Sequence, residues 1–297
     1  MLSRLHIRLE SLIVLVVLSA AMAMLSPVFL SVNNLFNIIL ATATFGVLAI
    51  GATFVISSAG LDLSLGSVLG LSSVVGAALV VTLEWPWYFA ILGSLFAGTM
   101  AGAVNGFIVT RGLVPAFIVT LGMLGIARGL ALIISGGRGI YGLPNEILFL
   151  GQARPLGVPT PVFILAIVAI ISHYILAHTR FGHHTLALGD NEAAAKATGI
   201  DISRQRMLLY MLSGLMAGIA GLIFMARVNT GDPTAGLNYE LLAITAAIIG
   251  GTNLFGGRGS ILGTMIGALI MGVLQNGLNL LAVQAYYQQM AIGIVLI

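Results

Sequence analysis

The chain has 297 residues, of which 59% are hydrophobic and only 7% charged, with a formal net charge of +3, 38 glycines and no cysteine. A soluble domain carries about 25% charged residues, so this composition cannot build an ordinary water-facing surface. Without cysteine there are no disulfides, thiol nucleophiles or Cys-ligated metals, and the small basic excess is an orientation signal, not a footprint for nucleic acid.

Apolar runs approaching the roughly 20 residues that cross a bilayer predict ten spans, near 11–27, 34–56, 67–83, 88–109, 115–135, 161–178, 207–227, 240–254, 261–283 and 285–297. The expected fold class is all-α: a polytopic transmembrane bundle with broken or re-entrant segments, one domain over 1–297. Basic MLSRLHIRLE ahead of the first run, with Ala21-Met22-Ala23 after it, has the outline of a signal peptide. The many later spans favour a retained first helix. The last run stops at Ile297 without a basic flank, so the sequence is expected to end inside a helix.

Between the second and third runs lies Ser57-Ser58-Ala59-Gly60-Leu61-Asp62-Leu63-Ser64-Leu65-Gly66-Ser67. A carboxylate at a membrane boundary is costly unless it is paired, caps a helix or lines water. Asp62 or Ser64 is expected to cap the next helix, and the same turn is a candidate gate on a substrate path. Asn105 is an amide inside the fourth run. Glu84-Trp85-Pro86-Trp87-Tyr88 reads as an interfacial aromatic cluster, and Gly136 to Pro161 as an irregular extracytoplasmic loop.

Thr179 to Arg206 is the one long polar stretch. It holds Arg180, Asp190, Glu192, Lys196, Asp201, Arg204 and Arg206, a third of the 12 basic and 9 acidic residues. With the N-terminus in the cytoplasm, Arg4, Arg8, Arg111, Arg180, Lys196, Arg204, Arg206 and Arg258 fall on the cytoplasmic side. Arg138, Arg154 and Arg227 fall outside or near outer ends, and Arg128 within a span. The positive-inside tendency selects that orientation, which makes 179–206 a cytoplasmic loop. Within it, Asp190 or Asn191 is placed to cap a short helix with Glu192 in its first turn. Ala193–Ala195 favour helix, and Gly199 is placed to end it.

Among the late spans, Gln275, Asn276 and Asn279 share a helical face; such amides glue helices together or line a polar path. Val47–Ile50 followed by Gly66–Gly70 is echoed by Leu241–Ile244 followed by Gly259–Gly263, which suggests an internal duplication of the kind transporters use. Lys196 is the only lysine and stands in AAAKATG, so the chain has no Walker A phosphate loop. Gly137–Gly142 matches GxGxxG without a strand–helix context, the histidines show no metal spacing, and no GxSxG is present.

GLDLSLGS (60–67), ALGDNEAAAKATGI (187–200), PTAGLNYELLAI (233–244), IIGGTNLFGGRGSILGT (248–264) and NGLNLL (276–281) together resemble the ribose-type permeases of ATP-binding cassette (ABC) importers. The resemblance spans essentially the whole chain and is specific for the family, less so for the sugar. It departs at Ala59, where relatives often have glycine.

The resemblance implies a ten-helix permease of a bacterial inner membrane that moves a monosaccharide, a pentose such as ribose or xylose, inward by alternating access. Its implied partners are an ABC ATPase, single or with duplicated cassettes, an extracytoplasmic sugar-binding protein, a second permease copy and membrane lipid. It implies no cofactor on this chain, ATP and Mg belonging to the ATPase, and no catalytic residue. Gly189, Asp190, Asn191, Glu192, Ala193, Ala194, Thr198 and Gly199 would form the helix that couples to the ATPase. Asp62, Ser64, Asn105, Gln275, Asn276 and Asn279 are the candidates for the pathway or its gate. The alternatives are a branched-chain amino-acid permease or a stand-alone secondary transporter, though buried ionisable residues for ion coupling are few beyond Asp62 and Arg128.

Overall fold

The computed structural model describes residues 9–296; Arg4 and Arg8, used above for orientation, lie outside them. Thirteen α-helices are found there, and seven are long and apolar enough to cross a membrane. These are α2 (Val32–Ser57), α3 (Leu65–Ala77, continued by a π-helical turn to Thr82), α4 (Tyr88–Arg111), α5 (Ala116–Ser135), α7 (Thr160–His178), α10 (Ile202–Val228) and α12 (Ile261–Leu280). The other three predicted spans contain the shorter α1 (Leu9–Leu25), α11 (Tyr239–Ile249) and α13 (Ala285–Leu296). Ten crossings are therefore not carried by helix length. At 11 residues, α11 is about 16 Å long and reaches only halfway through a bilayer core of about 30 Å.

Helix α2 is the axis of the bundle: Thr42 to Ser57 is buried without exception, as a helix that is apolar on every side must be. Helix α10 packs beside it, and α4 packs on α10 through glycine. Gly98, Gly102 and Gly106 recur every four residues on α4, as do Gly214 and Gly218 on α10. A Cβ on Gly98 would strike the carbonyl of Gly214, and one on Gly102 the carbonyl of Tyr210. The backbones thus touch, the arrangement that small residues at helical spacing permit where lipid offers no hydrophobic drive. Helices α5 and α7 lie on the outside, with Ile118, Ile126, Ile167 and Ile170 exposed.

The 136–161 loop is more ordered than its composition suggests. It contains strand β1 (Ile140–Tyr141) and helix α6 (Asn145–Gln152). Strand β1 pairs antiparallel with β2 (Thr230–Gly231), and Gly151 of α6 sits against the backbone of Ala226 and Arg227. The tryptophans beside it stay exposed, Trp85 packing edge-on against Phe89 at 4.9 Å between ring centres. This ribbon marks one end of the bundle, and residues 179–206 mark the other.

The chain unwinds twice inside the bundle, at 58–64 between α2 and α3 and at 232–238 ahead of α11. The second unwound stretch runs along α3 from the ribbon inward. Gly231 lies against Ser73, Val74 and Ala77, Ala235 against Gly70, and Gly236 against Gly66. That is a descent of eleven helical residues, about 16 Å. The eighth predicted span, 240–254, is thus one part of a broken element: turns at 232–238 lead into α11, and residues 250–254 lie beyond its end. The repeated motifs occupy equivalent places: each begins on a helix (α2 or α11) running toward the polar-loop end and continues at the start of the next (α3 or α12).

Candidate gate and coupling site

Asp62 stands at the centre of the first unwound stretch, buried at 3% exposure. Its Oδ1 accepts hydrogen bonds from the Ser64 backbone N–H (3.0 Å) and the Ser64 hydroxyl (2.6 Å), and its Oδ2 accepts from the Ser213 hydroxyl (2.7 Å). The Asn105 side-chain amide donates to Ser64 Oγ at 3.0 Å. One turn nearer the polar loop, the Tyr210 hydroxyl donates to the Leu61 carbonyl at 3.2 Å. One backbone N–H and two serine hydroxyls thus converge on the Asp62 carboxyl group.

Three of the sequence candidates, Asp62, Ser64 and Asn105, therefore share one network that pins the connector to α4 and α10. The glycine contact between those helices brings Asn105 and Ser213 into the same network, one on Ser64 and the other on Asp62. Ser64 is the N-cap residue of α3 by position, but its side chain accepts no bond from the helix; it is committed to Asp62. The expected side-chain cap is thus replaced by a turn in which Asp62 holds the N–H two residues on. Asn105 Oδ1 is buried without a partner. Toward the polar loop a cavity of about 320 Å³ opens between Ala59, Gly60, Leu113, Pro115, Arg206 and Tyr210.

The polar stretch folds as two helices, α8 (Arg180–Asp190) and α9 (Glu192–Ala197). Asn191 caps α9, its Oδ1 accepting the Ala194 N–H at 3.0 Å. At the other end the Gly199 N–H donates to Lys196 O and the Ile200 N–H to Ala195 O, with Gly199 at φ +87°. That is the paired-bond glycine ending of a helix. Only Ala195 is buried; Asn191, Glu192, Ala193, Ala194, Thr198 and Gly199 all face outward. Glu192 receives both terminal nitrogens of Arg206 (2.6 and 3.3 Å), the one ion pair among the described residues. Gln205 anchors α10 to α8 through the Phe181 carbonyl and the Thr185 hydroxyl, both at 2.9 Å.

The two candidate regions meet at a glycine joint. A Cβ on Gly189 would strike the Ser57 carbonyl, and that carbonyl accepts the Gly257 N–H at 3.0 Å. Gly256 leaves no room for a side chain between Gly189 O and Ala59 N. The polar loop, the end of α2 and the 250–260 loop are thus in backbone contact a few residues from Asp62.

The late amides are elsewhere. Asn276 and Asn34 exchange reciprocal hydrogen bonds of 2.9 and 2.8 Å between α12 and α2, and Asn279 Oδ1 accepts from Gln288 at 2.8 Å. Neither lies near Asp62, and Gln275 makes no side-chain hydrogen bond among those described. Sequence reasoning did not single out Ser213, Tyr210, Gly256 and Gly257. Small residues spaced by four on α10 (Ser213, Ala217 and Gly221) were the available signal for the first of these.

A family model described as branched-chain amino acid transport system / permease component matches residues 34–297. The chain belongs to this permease family. The permease is 46% identical over 292 residues to the ribose import permease protein RbsC of Escherichia coli strain K12, covering 97% of this chain and 91% of that one. It is 39% identical to the D-allose transport system permease protein AlsC of the same organism, covering 94% and 86%. Among solved structures, an inward-facing ABC transporter of metal-chelate type matches at TM-score 0.52 and 16% identity over 90% of this permease and 89% of that chain, a likeness of fold. The permease is accordingly the membrane component of a transport system, a multi-pass protein and not its ATPase.

Proposed function

We propose that this permease carries a monosaccharide into the cytoplasm of a bacterium, a pentose such as ribose being the best-supported cargo, on energy supplied by a separate ABC ATPase. The likeness to permeases named for ribose and D-allose supports a sugar over a branched-chain amino acid, despite the wording of the family description. The observation that carries the mechanism is the short helix α9: capped at both ends, exposed on nearly every residue, and tied by glycine to the segment that holds Asp62. A helix built this way offers a partner a rigid, small-residue surface. ATP-driven closure of that partner pulls α9, the joint passes the movement to Ser57 and Ala59, and the Asp62 network releases or re-forms. Residues 189–199 thus serve coupling, and Asp62, Ser64 and Asn105 serve the gate.

The other partners in this reading are an extracytoplasmic sugar-binding protein and a second permease copy, with the N-terminus in the cytoplasm. Gln275, Asn276 and Asn279 act as helix glue in this scheme. The test is uptake into proteoliposomes holding the permease, its ATPase and its binding protein. ATP-dependent accumulation of labelled ribose in preference to leucine is expected. Leucine uptake, or uptake by the permease alone on a proton or sodium gradient, contradicts the proposal.

A further inference from the structure

The second unwound stretch poses a problem that its surroundings answer. Backbone that is neither helix nor closed sheet cannot face lipid, because its N–H and C=O groups have no water to bond; at membrane depth it must be covered by protein or line a water-filled cavity. The 232–238 segment lies up to about 16 Å below the ribbon, counted along α3, yet Thr234, Leu237 and Asn238 are exposed. Asn238 holds a left-handed backbone at φ +64°, immediately before α11.

Ionisable groups gather beside it. Arg128 on α5 donates through Nη1 to the carbonyls of Pro233 and Ala235, holding the unwound chain against α5. Its Nε is buried without a partner, and it lies in the field of Glu240 and Asp232. Glu240 stands in the first turn of α11, its Oε2 against Gly66 in the first turn of α3. Both helix starts favour a negative group there. An arginine and a glutamate at this depth, next to exposed unwound backbone, have no place against hydrocarbon. Broken helices at a polar site inside the membrane are the usual setting of transported solutes.

We propose that the 234–240 segment forms a wall of the water-filled translocation pathway, where Asn238 and Glu240 hydrogen-bond the hydroxyls of the passing sugar and Arg128 positions the segment. A neutral polyol suits this set: a carboxylate accepts from hydroxyls and an amide both donates and accepts. The inference rests on the permease reading, and its test separates the two.

Because the chain has no cysteine, single cysteines report on one position each. Thr234→Cys and Leu237→Cys, in the permease assembled with its ATPase in membranes, are to be treated with a charged, membrane-impermeant thiol reagent. Ile170→Cys on the apolar outer face of α7 is the control. Expected is labelling about tenfold faster than the control, slowed by sugar under turnover, with Glu240→Gln cutting uptake about tenfold through loss of a hydrogen bond to the cargo. Labelling of both cysteines at the control rate, in an assembly that transports normally, overturns the inference; so does unchanged uptake by Glu240→Gln. Failure of the wild-type assembly to move any sugar would instead sink the permease reading while leaving the labelling result interpretable.

Discussion

The two unwound segments carry the same local motif in opposite settings. Asp62 Oδ1 accepts the backbone N–H and the hydroxyl of Ser64 at 3.0 and 2.6 Å; Asp232 Oδ1 accepts the backbone N–H and the hydroxyl of Thr234 at 2.8 and 2.7 Å. The first is sealed among α2, α4 and α10, and its second oxygen is bonded to Ser213. The second is half open, with Thr234 exposed. The same Asp-x-Ser/Thr turn thus shapes both non-helical connectors, and its surroundings decide its consequence. Buried, it becomes a latch whose every member depends on the others. Exposed, it shapes a surface that water or cargo can reach.

The contrast is sharpest on removing each carboxylate. Asp62→Ala strands three buried donors and is expected to cost about 3–5 kcal/mol. That loss should appear as a large drop in the thermal midpoint of the detergent-purified permease and as lost uptake. Gly189→Val drives a side chain into the Ser57 carbonyl and Gly257 N–H. Overpacking of this kind costs about 2–3 kcal/mol, and a severed joint should uncouple ATP hydrolysis from uptake in whatever protein still folds. Asp232→Ala, with water able to replace its bonds to Thr234, should cost only about 1 kcal/mol; a loss equal to that of Asp62→Ala would erase the distinction between the segments. Smallest and opposite in sign, Ala59→Gly should stabilise by about 1 kcal/mol, since Ala59 holds φ +60° where a side chain is penalised.

Much of this was legible in the sequence, for identifiable reasons. Every predicted span contains a helix, because run length and hydropathy are imposed by the bilayer. The ends of α9 were readable at Asn191 and Gly199, because capping is local chemistry. The Asp62 cap was misread because Ser64's hydroxyl had a competing acceptor two residues away, which no propensity reveals. Ser213, 151 residues downstream of Asp62, is brought to it only by the packing of α4 on α10. That the turns at 232–238, ahead of the eighth predicted span, run along α3 follows only from the tertiary contacts of Gly66, Gly70 and Gly236. Asn276 fits helix packing more readily than a pathway by residue type alone, but its partner Asn34 is a long-range fact.

The claim that α9 is the handle by which an ATPase moves this permease is tested most directly by the ratio of sugar transported to ATP hydrolysed. The measurement belongs to the reconstituted importer carrying Glu192→Ala with Gly199→Ala. These changes remove the ion pair to Arg206 and strain the left-handed end of α9, while leaving the Asp62 network and the joint untouched. The account predicts continued ATP hydrolysis with the ratio falling toward zero. A wild-type ratio in that double variant would contradict it.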